Sequence, residues 1–305
     1  MGEKYYNDIR ELIGNTPVLK LNQLASKEAV PIFAKLEFWN PGGSVKDRIG
    51  KAMIEDAEAR GLLKPGFTIL EATAGNTGLG IALAAINKGY RIIFIVPEKF
   101  SVEKQILMKA LGAEIINTPR ERGMLGAMEK ARELRAELPN AVELGQFVNP
   151  ANPQVHYETT GPEIYHALGG EIDFLVAGAG SGGTFTGALR YLKEKIPAIK
   201  GVLADPEGST MGGGEEHCYN IEGIGNNFIP ETMDMGLVDA VIKVSDEEAF
   251  ATVKQLARKE GLIVGTSAAA AVAASLKLAE KLTEGRIVTI LPDRGDRYFS
   301  KNLYE

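Results

Sequence analysis

Cysteine and tryptophan are almost missing from this chain: Cys218 and Trp39 are the only ones among 305 residues. A single cysteine excludes an intrachain disulfide and a cysteine-rich metal cluster. Histidine is nearly as scarce. His156, His166 and His217 stand at spacings that match no metal signature, so no metal is expected. There is no excess of positive charge either: Lys and Arg number 34 against 40 Asp and Glu, a net charge of -6. That balance argues against a nucleic-acid-binding surface. No run approaches the roughly 20 apolar residues that span a membrane. The opening Met1-Gly2-Glu3-Lys4-Tyr5-Tyr6 lacks the apolar core of a signal peptide. Tyr6 also stands where a myristoylation signal carries Ser or Thr. These absences lead to the expectation of a soluble cytoplasmic protein with neither nucleic acid nor membrane as partner.

Apolar residues and glycine are plentiful, at 45% of the chain and 35 residues respectively. On a prior of roughly 150 residues per domain the length predicts two domains with full-sized cores. Short Ile/Val-rich runs at 68–72, 91–96, 114–117, 174–177, 201–204, 240–244 and 287–291 read as buried parallel strands. Helical patterns lie between them. In 123–138, Met124, Met128, Ala131, Leu134 and Leu138 recur at helical spacing and predict a core-facing stripe. Asp246 is expected to cap a helix that ends at Gly261. The fold class expected is α/β: two open parallel-sheet domains with helices on both faces. The boundary is expected between 1–145 and 146–305, where Asn149-Pro150-Ala151-Asn152-Pro153 should break regular structure. Residues near 12–35 are allowed to cross to the other domain.

Two glycine-rich loops each follow a predicted strand and open a predicted helix. One is Thr73-Ala74-Gly75-Asn76-Thr77-Gly78; the other is Gly178-Ala179-Gly180-Ser181-Gly182-Gly183-Thr184. In the second, glycines let backbone N–H groups approach an anion, and the helix N-terminus favours negative charge, so it reads as a phosphate cradle. Its spelling also fits G-x-G-x-x-G, with Asp205 as a ribose-binding acid, so a nicotinamide dehydrogenase stays open on this motif, as does a turn that serves helix packing alone. The first loop offers N–H groups and the hydroxyls of Thr73 and Thr77 to a small anion such as a carboxylate. Its plainer reading is a helix cap by Asn76 or Thr77. In Pro41-Gly42-Gly43-Ser44-Val45-Lys46, a lysine opens a helix, where aligned peptide dipoles disfavour its charged form. A neutral amine is what Schiff-base chemistry needs. A solvated surface lysine is the competing view. Gly265-Thr266-Ser267-Ala268-Ala269 places a hydroxyl at another helix start, as a cap or facing a ligand's ring nitrogen. Glu222-Gly223-Ile224-Gly225 reads as a loop over a ligand or a surface turn. Cys218 reads as structural rather than nucleophilic. Pro292-Asp293-Arg294-Gly295-Asp296-Arg297-Tyr298 reads equally as a solvated turn or a cleft edge.

Taken in order, these motifs resemble the cysteine synthase family of pyridoxal-phosphate enzymes, the fold-type II group that includes cystathionine β-synthase. The resemblance covers nearly the whole chain. It also includes Glu11-Leu12-Ile13-Gly14-Asn15-Thr16-Pro17-Val18, Gln146-Phe147 and His156-Tyr157-Glu158-Thr159-Thr160-Gly161-Pro162-Glu163-Ile164. It implies a pyridoxal 5'-phosphate cofactor in the cleft between the domains, with Lys46 as its anchor and catalytic base. Gly180, Ser181, Gly182, Gly183 and Thr184 would bind the cofactor phosphate, Asn76 its 3′-oxygen and Ser267 its pyridine nitrogen. Thr73, Ala74, Asn76, Thr77 and Gln146 would hold the substrate carboxylate, with Gly223 on a closing loop. The activity implied is β-replacement through an α-aminoacrylate, cysteine synthase type, joining O-acetyl-L-serine and sulfide. Cystathionine synthesis with homocysteine is the alternative. Hydrogen sulfide release from cysteine, or serine/threonine dehydration, stays open, as does a silent partner-binding paralogue. Intact Lys46 argues against that last reading. The resemblance also implies a homodimer and a docking site for a serine acetyltransferase tail. Ala74 and Ala268-Ala269 depart from the cysteine synthase spelling, and Ala74 leans toward bacterial cystathionine-forming members. The chain is expected to lack the regulatory and haem-binding extensions of animal cystathionine β-synthases.

Overall fold

The computed structural model describes residues 5–24, 30–73, 75–98 and 100–305. The strands are β1 (Val18–Leu21), β2 (Ile32–Leu36), β3 (Thr68–Ala72), β4 (Arg91–Pro97), β5 (Glu114–Thr118), β6 (Ala141–Glu143), β7 (Phe174–Gly178), β8 (Lys200–Pro206), β9 (Ala240–Val244) and β10 (Ile287–Leu291). The α-helices are α1 (Lys46–Ala59), α2 (Asn76–Ala84), α3 (Val102–Ala110), α4 (Gly123–Glu137), α5 (Ala151–Val155), α6 (Gly161–Ala167), α7 (Gly183–Lys195), α8 (Asp246–Gln255) and α9 (Thr266–Ala279). They divide into one unit of Met1–Asn15 with Asn40–Ala151, and another of Thr16–Trp39 with Asn152–Glu305.

The first unit is built on a parallel sheet ordered β5-β4-β3-β6. Every residue of β3 is buried, and so is β4 after Arg91, which is why β4 reads as an apolar run and β3 as one interrupted by Glu71. Helix α4 packs on β3 and β4 through its expected stripe. Ala127 and Ala131 are buried there, with Met124, Met128, Leu134 and Leu138 around them. Helices α1 and α2 cross at very close range. A Cβ on Gly80 would lie 2.3 Å from the Lys46 carbonyl oxygen, and one on Gly50 would lie 2.3 Å from the Gly80 carbonyl carbon. Only glycine admits that approach, and it seats the start of α1 against α2.

The second unit has a six-stranded sheet ordered β1-β2-β10-β7-β8-β9. Residues alternate between its faces. Val176, Val202 and Ala204 join the alanines of α9 in one core, whereas Leu175, Ala177 and Leu203 join Phe185, Leu189 and Leu192 of α7 in another. Helices thus cover both faces.

Several expectations are corrected. Strand β1 pairs with β2 antiparallel, so this sheet is not purely parallel. Its exposed edge position explains why Val18–Leu21, with Leu19 and Lys20 exposed, did not stand out as a buried strand. Ser245, not Asp246, caps α8. The Ser245 hydroxyl accepts from the Glu248 N–H while the Glu248 carboxylate accepts from the Ser245 N–H, a complete capping box. Asp246 instead accepts from the Asn220 and Ile221 N–H groups. The Asn149–Pro153 stretch does not break structure throughout: Ala151 opens α5, and Pro153 sits in its first turn, where a missing N–H costs nothing.

Candidate active site

In the first unit, Lys46 is the first residue of α1 and is half-buried. The turn before it is held tightly. The Gly43 N–H donates to the Asn40 carbonyl at 2.7 Å, and the Gly42 N–H donates to the fully buried Asp47 carboxylate at 2.6 Å. A solvated surface lysine does not describe this position.

The loop after β3 is organised around two side chains. Thr73 is fully buried, and its hydroxyl oxygen accepts from the N–H groups of Gly75 at 3.0 Å and Gly78 at 3.2 Å. Its O–H proton remains to be donated. Thr77 donates to Gln146 Oε1 at 2.7 Å, and Gln146 Nε2 donates to the Ala72 carbonyl at 3.1 Å. Thr73, Asn76, Thr77 and Gln146 therefore share one neighbourhood. Gly75, not Asn76 or Thr77, occupies the cap position of α2, with no side-chain bond, so the plain capping view of this loop fails. Ala74 lies outside the described residues. Glu71 was not foreseen: this buried carboxylate of β3 accepts from the Gly145 and Gln146 N–H groups. Burial pushes its carboxyl up to about 7, against the opposing pull of those donors. A charged residue inside an otherwise apolar strand was the signal available for it.

In the second unit the loop 178–183 joins β7 to α7. Gly182 caps the helix at φ 82°, a left-handed conformation, and no side chain caps the first turn. Two hydroxyls flank that turn, each backed from behind. Asn152 Nδ2 donates to Ser181 Oγ at 2.9 Å. The buried His156 places Nε2 3.1 Å from Thr184 Oγ1 and Nδ1 2.8 Å from Thr160 Oγ1. A hydroxyl that accepts from behind has its own proton to give forward. An uncapped N-terminus of a long helix, with the Ser181 hydroxyl so polarised and the Thr184 hydroxyl beside it, fits a phosphate monoester. Asn152 and His156 were not foreseen as part of this site. They lie four residues apart, the spacing that would have placed them on one helical face.

The loop at 222–226 rests on the glycine loop. The Gly225 N–H donates to the Ala179 carbonyl at 2.8 Å, and Asn226 Nδ2 donates to the Gly180 carbonyl at 2.6 Å. Gly223 is exposed, and a Cβ on it would lie 3.8 Å from Ser267 Oγ. Ser267 is buried. Gly265 holds the cap position of α9 with no side-chain bond, so Ser267 is not a helix cap. The dehydrogenase alternative loses its acid: Asp205 is buried and bound to Lys243 at 2.6 Å and to the Gly212 N–H at 3.0 Å. Cys218 is exposed, not a core residue. The C-terminal turn is not solvated throughout, since Asp293, Arg297 and Tyr298 are buried and Tyr298 donates to Asp293 at 2.6 Å. No group of His, Cys, Asp and Glu able to hold a metal occurs among the described residues.

A family model described as "Pyridoxal-phosphate dependent enzyme" matches residues 9–293. A Bacillus subtilis (strain 168) protein named O-acetylserine dependent cystathionine beta-synthase is 53% identical over 299 residues, spanning 98% of this chain and 97% of its own. A Helicobacter pylori (strain ATCC 700392 / 26695) protein named cysteine synthase is 48% identical over 301 residues, spanning 97% and 98%. The crystal structure of an O-acetylserine dependent cystathionine beta-synthase from Helicobacter pylori superposes with a TM-score of 0.95 at 46% identity, over 99% of this chain and 100% of that one.

Proposed function

Since the chain belongs to the pyridoxal-phosphate dependent enzymes, we propose that it catalyses β-replacement on O-acetyl-L-serine, with sulfide as acceptor and cysteine as product. The observation that carries this reading is the uncapped N-terminus of α7, flanked by the Ser181 and Thr184 hydroxyls, which suits a phosphate monoester; the first unit separately supplies a helix-opening lysine. Bound pyridoxal phosphate supplies the electron sink that lets an amino acid shed its Cβ substituent and accept another.

The roles of the protein groups follow from their chemistry. Lys46 Nζ would bind the cofactor's aldehyde carbon and, once displaced by the substrate amine, take the α-proton. The N–H groups at the start of α7, with Gly180, Ser181, Gly182, Gly183 and Thr184, would hold the phosphate. Asn76 would donate to the ring 3′-oxygen. Ser267 would meet the pyridine nitrogen with a neutral hydroxyl, which does not fix a proton there as a carboxylate would. Thr73, Ala74, Asn76, Thr77 and Gln146 would hold the α-carboxylate, and Gly223 would lie over the substrate. A homodimer in the cytoplasm, able to receive a serine acetyltransferase tail, completes the reading.

Homocysteine as acceptor, giving cystathionine, is the second reading. It is favoured by the 53% identical Bacillus subtilis relative and by Ala74, which leaves the substrate loop one hydroxyl poorer. The test is a direct one. The protein loaded with pyridoxal phosphate is given O-acetylserine with sulfide or with homocysteine, and acetate and the thioether or thiol product are quantified. Absence of acetate release with both acceptors overturns the reading.

A further inference from the structure

Glu71 is the only charged residue of β3, and its side chain is 2% exposed. Burying a carboxylate costs several kcal/mol unless donors compensate, and an apolar side chain would fill a strand interior more cheaply. The donors here are consecutive backbone groups. Oε2 accepts from the Gly145 N–H at 2.8 Å and Oε1 from the Gln146 N–H at 3.1 Å. Gly145 adopts φ 69°, the left-handed turn that lets successive N–H groups converge on one anion. The side chain of the same Gln146 is fixed separately, by the Thr77 hydroxyl and the Ala72 carbonyl. Gln146 is thus gripped by its backbone, through Glu71, and by both ends of its amide.

We propose that Glu71 is a positioning residue: its carboxylate fixes Gln146, and through it the site for the α-carboxylate of the amino-acid substrate. The proposal deepens the function read above and rests on it. Glutamine does not replace the ionised acid. An amide presents one acceptor and one donor group where the turn offers two donors, so one N–H would face an NH2 and the turn would shift. The effect should fall on binding of the amino acid and not on the cofactor, which Lys46 and the glycine loop would hold.

The test uses the cofactor-loaded protein and L-alanine, an amino acid without a leaving group, titrated by the visible spectrum. In Glu71→Gln the L-alanine affinity should fall about 10-fold, and KM for O-acetylserine should rise equally while kcat stays within about 2-fold. Gln146→Ala should lose a similar amount. Adding Glu71→Gln to Gln146→Ala should cost less than about 2-fold more, because a residue acting through another is silent once that partner is gone. Unchanged affinity in Glu71→Gln, or additive losses in the double variant, overturns the proposal. If Glu71→Gln does not fold, Glu71→Asp keeps the charge with a shorter reach and should show a smaller loss; failure of both to fold marks Glu71 as a stability residue and overturns it as well. A wild type that takes up no pyridoxal phosphate, or whose spectrum no amino acid alters, refutes the functional reading instead.

Discussion

Asn152 donates its side-chain N–H to Ser181 Oγ at 2.9 Å, and both residues are buried. The direction of that bond matters more than its strength. It commits the hydroxyl oxygen to accepting, so the Ser181 proton is available to an anion at the start of α7. Asn152→Asp keeps the shape and reverses the polarity: the hydroxyl must donate backwards, and a negative charge arrives behind the proposed phosphate. Cofactor affinity should fall by about 2 kcal/mol, the scale of a lost charge-assisted hydrogen bond. Equilibrium dialysis of the two proteins against pyridoxal phosphate measures it. Equal retention would leave Asn152 with a packing role only.

Lys46→Ala should abolish β-replacement while leaving the fold intact, since Lys46 is half-buried at a helix start and it is its backbone that packs against Gly80. Added pyridoxal phosphate should still bind noncovalently through its phosphate. Reduction with borohydride followed by peptide mass analysis should label the wild type at Lys46 and the variant nowhere. Turnover by the variant at the wild-type rate would remove Lys46 from the mechanism.

Ala74→Ser restores a hydroxyl to the substrate loop. It should lower kcat/KM for homocysteine relative to sulfide by about 1–2 kcal/mol, the scale of one altered pocket contact. The two acceptors are compared at fixed O-acetylserine. An unchanged ratio means that position 74 does not select the acceptor.

Glu71 also gives stability a pH signature. Burial raises its carboxyl to about 7 from 4.5. The folded protein therefore binds this proton more tightly than the unfolded chain does. The contribution is fully present below about 4.5 and is lost as pH rises to about 7, on the order of 3 kcal/mol in all. Glu71→Gln lacks this slope. Urea midpoints for both proteins at acid and neutral pH should show the wild type losing stability relative to the variant as pH rises. Parallel curves would mean that the donors at Gly145 and Gln146 outweigh burial.

Much of this was legible from residues alone. Buried parallel strands such as Ile69–Leu70 and Ile92–Val96 announce themselves by composition, and glycine loops at their ends announce a site. Harder to read were features set by distant partners. Val18–Leu21 and Ile32–Leu36 become strands through pairing with each other and, for β2, with Ile287–Leu291 at the far end of the chain. The roles of Asn152 and His156 depend on hydroxyls about 30 residues away, at Ser181 and Thr184. Ser245 and Asp246 are neighbours with equal capping propensity; backbone geometry chose between them.

Strand β10 lies between β2 and β7, at the middle of its sheet, yet it follows both by a long stretch of sequence. During synthesis β2 emerges before β10 and must wait, with one edge unpaired, until residues 287–291 have been made. The first unit can assemble meanwhile, because β3 to β6 are contiguous in sequence. The second closes last and around a long loop, which makes nascent chains stalled before residue 287 the aggregation-prone species that chaperones would have to shelter.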